Sequence, residues 1–114
     1  MLLSLLAASA LAKLEPEAEA DLRCMAVFAA GAAEKEEPDA GTLASIMYYL
    51  GRLEGRQPDF NFQVYMIQLL KSPRYTLESA QADAERCSRE MSERASQLEI
   101  VGRMMQGSGE SRGH

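Results

Sequence analysis

The sequence predicts an all-α fold, a four-helix bundle-like domain with a long C-terminal helix. Apolar residues recur three and four positions apart in four separate stretches, and nowhere does apolar–polar alternation persist over a β-rich run. Proline, glycine and small polar residues fall between those stretches, where helices start and stop. The 114 residues are 46% hydrophobic and 25% charged, a balance that suits one folded domain rather than a disordered chain.

Residues 1–12, MLLSLLAASALA, carry no charge and end in the overlapping triplets Ala8-Ser9-Ala10 and Ala10-Leu11-Ala12. An apolar run closing on Ala-x-Ala ahead of a polar stretch, here opened by Lys13, is the pattern of a signal peptide. The alternative is an apolar first helix packed in the core. The run is too short to span a bilayer, which takes about twenty apolar residues. Export places the protein in the periplasm or outside the cell. The helical domain is then 13–106, and the apolar-free stretch 107–114 is expected to be a disordered tail.

The first helix is expected over about Glu17–Ala30, apolar on nearly every side of its second half through Leu22, Cys24, Met25, Val27 and Phe28, and stopped by Gly31. The second starts near Pro38-Asp39 and carries Leu43, Ile46, Met47, Leu50 and Leu53 at helical spacing. Within it lies SIMYYLGRLEGR, Ser45 to Arg56. Gly55 is expected to be a left-handed cap, Pro58 blocks continuation, and Gly51 permits close approach by another helix. Tyr48 and Tyr49 point about 100° apart, so one faces the core and the other the rim. The third helix, about Phe60–Leu70, starts at Asp59 or Asn61 and presents Phe60, Val64, Ile67 and Leu70 or Lys71 as its stripe, widened by Phe62, Tyr65, Met66 and Leu69. The fourth runs from Leu77, after a Thr76 cap, to about Gln106. Its seam is Ala80, Ala84, Cys87, Met91, Leu98, Val101 and Met105, and Glu85–Arg89, Glu90–Arg94 and Glu99–Arg103 are spaced for ion pairs on its other side.

Cys24 and Cys87, an even count in a small exported chain, predict a disulfide joining the first helix to the last. Two buried free thiols are the alternative.

Several function classes are excluded or weakened. A net charge of −5 argues against nucleic acid, whose phosphates need a basic surface. The one histidine is the terminal His114, which removes Ser-His-Asp and Cys-His devices, so no catalytic residue is assigned. No cofactor motif or metal-ligand spacing occurs. Met104-Met105 with His114 is the one grouping that suits copper, and Glu36-Glu37 and Glu90 with Glu93 are the carboxylate pairs a small hydrolase would need.

The signal-like start, Asp21-Leu22-Arg23-Cys24, Tyr48-Tyr49-Leu50-Gly51-Arg52-Leu53 and Arg86-Cys87 together resemble a group of small, exported, two-cysteine helical proteins of alphaproteobacteria. That resemblance implies an architecture and a compartment, and no reaction. The inventory also resembles, more loosely, periplasmic acid-stress chaperones of the HdeA type, which implies loss of structure and exposure of apolar surface at low pH. The expected role is a non-catalytic binding or structural module working through an apolar helix surface. Its candidate residues are Tyr48, Tyr49, Phe60, Phe62, Tyr65 and Met66, and the partner is another protein or a second copy in a homodimer.

Overall fold

The computed structural model describes residues 14–112, which form four α-helices: α1 Pro16–Ala33, α2 Ala40–Arg56, α3 Phe62–Lys71 and α4 Leu77–Arg112. There is no strand among the described residues, and the last helix is the longest, as expected. The signal-like segment 1–12 lies outside the described residues. Cys24 and Cys87 are disulfide-bonded, as their count predicts, and both are fully buried. The chain divides into two compact units, Met1–Ala84 and Glu85–His114, with α4 running through the boundary.

The helix starts follow local chemistry. Pro16 opens α1, and Glu17 and Glu19 place negative charge on its first turn. Asp39 caps α2 by accepting from the Thr42 N–H at 2.7 Å, while Lys35 donates to its other carboxylate oxygen at 2.7 Å. Those two bonds, the Lys35 one foremost, hold the Asp39 carboxyl below the usual carboxylate range. Asn61, the second of the two expected starts, caps α3 by accepting from the Val64 N–H at 3.2 Å. Thr76 and Ser79 cap α4 reciprocally, each hydroxyl accepting from the other's N–H, at 3.1 and 2.9 Å.

The helix ends differ from expectation. Gly31 does not stop α1, because Ala32 and Ala33 are strong helix formers and carry it to Ala33. Gly55 is no left-handed cap: α2 passes through it to Arg56, and no described glycine has positive φ. Pro58 supplies the stop instead. It bars Gln57 from the helical region, and Gln57 sits at φ −141° and ψ 84° with its N–H on the Leu53 carbonyl. Ser72, before Pro73, ends α3 in extended backbone by the same device. Helix α4 continues through residues 107–112, where a disordered tail is expected; adding a residue to a formed helix fixes little and gains one hydrogen bond.

In the first unit α1 is the central element. Ala18, Asp21, Leu22, Cys24, Met25 and Ala26 are all buried, and its most extensive packing is with α2. The buried face of α2 is Ser45, Tyr49 and Leu53, with Phe28 of α1 stacked on Tyr49 at 6.0 Å between ring centroids. Leu43 and Met47, expected in the core stripe, face outward. Helix α3 buries Leu69 alone, and the expected stripe of Val64, Ile67 and Leu70 is exposed. With ten residues, α3 makes limited contact with α1 and has too few turns to cover two apolar sides.

The second unit is the distal part of α4. Met91 is half-buried, but Leu98, Val101 and Met105, expected to lie on a packed seam, are exposed. At 36 residues the helix is about 54 Å long by its 1.5 Å rise, twice the length of α1. Glu99 and Arg103 pair at 3.4 Å as their spacing predicts, and Arg94 donates to the Gln97 side-chain oxygen at 2.9 Å.

Candidate interaction surface

The outward face of α2 is set by what its inward face must reach. Asp21 is 3% exposed on α1, and its carboxylate lies 3.5 Å from Arg52 Nε and 3.4 Å from Arg56 Nε of α2. Arg56 also pairs with Glu17, and Arg52 donates to the Tyr48 hydroxyl at 3.0 Å while lying over the Tyr48 ring. A buried carboxylate needs opposite charge close by, and the i,i+4 pair Arg52 and Arg56 supplies it from one helix face. These pairs favour the orientation in which Tyr49 and Leu53 face α1. Turning Leu43 and Met47 inward would withdraw both guanidinium groups from Asp21.

A second ionic group ties α1 to the start of α4. Arg23 donates to Asp83 at 3.1 Å, pairs with Glu19 at 3.8 Å and stacks over Tyr75 at 5.6 Å, while Arg74 reaches Glu19 at 3.6 Å. Partial burial raises the Tyr75 phenol above its ordinary pKa, and the charge of Asp83 raises it further.

With α2 so oriented, Leu43 and Met47 stand exposed on one side of it, and Phe62, Val64, Ile67 and Leu70 on α3. Single exposed apolar residues need no explanation, but six large ones on two consecutive helices of a small unit do.

The six residues expected to form this surface divide. Phe62 is exposed, at 43%. Tyr48, Phe60, Tyr65 and Met66 are half-buried, and Phe60 and Tyr65 stack on each other at 5.2 Å. Tyr49 is fully buried and contributes no surface, because it is the large apolar residue on the side of α2 that Arg52 and Arg56 turn toward α1. One tyrosine in the core and one on the rim is the expected division. Leu43, Met47, Val64, Ile67 and Leu70 are exposed as well, although none of them was expected on that surface. The available signal was the pairing of one acid within the apolar run of α1 with two arginines four apart on α2.

Met104 and Met105, of the grouping that suits copper, are exposed, and His114 lies outside the described residues. Among the described residues no group of three His, Cys, Asp or Glu is placed to hold a metal ion, and no helix is long and apolar enough to cross a membrane. No protein-family model, curated protein or solved structure matches this chain.

Proposed function

We propose that this protein is an exported, non-catalytic helical module that binds another protein through the apolar surface of α2 and α3. The observation that carries the reading is the set of six exposed side chains, Leu43, Met47, Phe62, Val64, Ile67 and Leu70, on two consecutive helices. The Cys24–Cys87 disulfide supports an oxidising compartment, periplasmic or extracellular, as the segment 1–12 does from its pattern. The single histidine at position 114 supports a non-catalytic role. The test is in-cell photo-crosslinking from Ile67: a discrete protein adduct is expected, and its absence contradicts the reading.

A specific observation favours a second reading, the acid-responsive chaperone. Protonating Asp21 removes the counter-charge beside Arg52 and Arg56, leaving two like charges one turn apart on α2 at its seam with α1. On that reading the protein expands reversibly below about pH 3, binds an apolar dye and suppresses client aggregation. A protein that keeps its near-UV circular dichroism and stays dye-free at that pH rules the reading out.

A further inference from the structure

The outer face of α2 has a pattern that matches itself. From Ala40 to Gly51 the helix carries no charged residue. Along one ridge of residues four apart, the first half is large and exposed, Leu43 and Met47, and the second half is Gly51 and Gly55. A Cβ added at Gly51 would meet nothing within 4 Å beyond its chain neighbours and the backbone of its own helix, so the space above it is open. The expected close approach of another helix to Gly51 is therefore not made within the described chain, although a glycine in mid-helix costs about 1 kcal/mol relative to alanine.

We infer that this face is the interface of a homodimer, in which α2 of a second copy crosses antiparallel about a two-fold axis at Met47. This rests on the reading of the chain as a protein-binding module and names its partner. Under that symmetry Leu43 of each copy lies over Gly51 of the other, since both are four residues from Met47. Glu54, exposed at the far end, lies over the first turn of the other α2, at Ala40, where the first N–H groups of the helix favour a carboxylate. Asp39 beside that turn is already paired with Lys35. A parallel arrangement fails on both counts: it sets Leu43 against Leu43, glycine against glycine, and Glu54 against Glu54. Size and charge thus select the antiparallel pairing, and a two-fold contact needs such self-complementarity. A single helix face is small for a specific interface, about 1,000 Å² in total being the lower limit, so a weak, concentration-dependent dimer is expected.

Sedimentation of the oxidised full-length chain across the micromolar range tests this. The wild type should pass from one chain mass to two. Gly51→Leu separates interface from fold, because leucine meets open space in the monomer and favours helix: Tm should rise by a few degrees while the dimer is lost. Met47→Lys, which puts two like charges at the axis, should raise Kd at least about tenfold. A chain that stays monomeric at all concentrations overturns the inference, as does a dimer that survives Gly51→Leu. Adducts from Ile67 to a different protein would persist in either case, so the broader reading stands or falls separately.

Discussion

Reducing the Cys24–Cys87 bond lowers the unfolding free energy by about 4 kcal/mol and Tm by roughly 20 °C. The bond closes a loop of 87 − 24 = 63 residues, more than half of the 114-residue chain. Chain entropy gives the figure of about 4 kcal/mol for a loop of that length. Because the gain comes from restricting the unfolded chain, the reduced protein should also show a larger denaturant m-value. Two fully buried sulfurs should resist reductant until denaturant is added. Matched urea titrations of oxidised and reduced protein measure all of this. Equal midpoints in the two forms would show that the bond contributes nothing to folding.

Asp21→Asn is the most damaging single change expected outside the cysteines. It leaves Arg52 and Arg56 against a neutral group at a position only 3% exposed. Removing one partner of a fully buried ion pair costs about 3–5 kcal/mol. Here the two arginine side chains are 28% and 30% exposed, so water relieves part of the cost and about 2–3 kcal/mol is expected. Adding Arg52→Met to Asp21→Asn should recover some of the loss, since the second change removes a charge that the first left unpaired. A double-mutant cycle by chemical denaturation reads the coupling, expected to exceed about 1 kcal/mol. Strictly additive losses would mean that Asp21 does not orient α2 through its arginines.

That orientation marks where the sequence stops being legible. Helix starts are local events: Asp39, Asn61 and Thr76 each cap with their own side chains, so composition and spacing found them. The cysteine pair was legible from count and placement. The buried side of α2 was not, because Leu43, Met47 and Leu50 are more apolar than the stripe of Ser45, Tyr49 and Leu53 that is buried. Periodicity weighs hydrophobicity within one helix. Here Asp21, on a different helix and more than thirty residues away, pairs with Arg52 and Arg56 beside the buried stripe, an influence that periodicity within α2 does not contain. Helix α3 shows the same limit, with Leu69 buried and Ile67 exposed, because both of its sides are apolar and only the neighbour chooses. The glycine expectations failed for another reason. Gly31 and Gly55 read as stops, yet proline acting through Gln57 ends α2 without one. Of the residues expected on a partner surface, Tyr49 is therefore buried, while Phe62 is exposed.

Photo-crosslinking from position 67 in native cells tests most directly whether the exposed apolar face is a working surface. A crosslinking residue at Ile67, on the exposed side of α3, should give a discrete adduct of higher mass. The same residue at exposed Gln81 of α4 should give none. An adduct at both positions in equal yield, or at neither, would contradict the proposal that this protein acts by binding through α2 and α3.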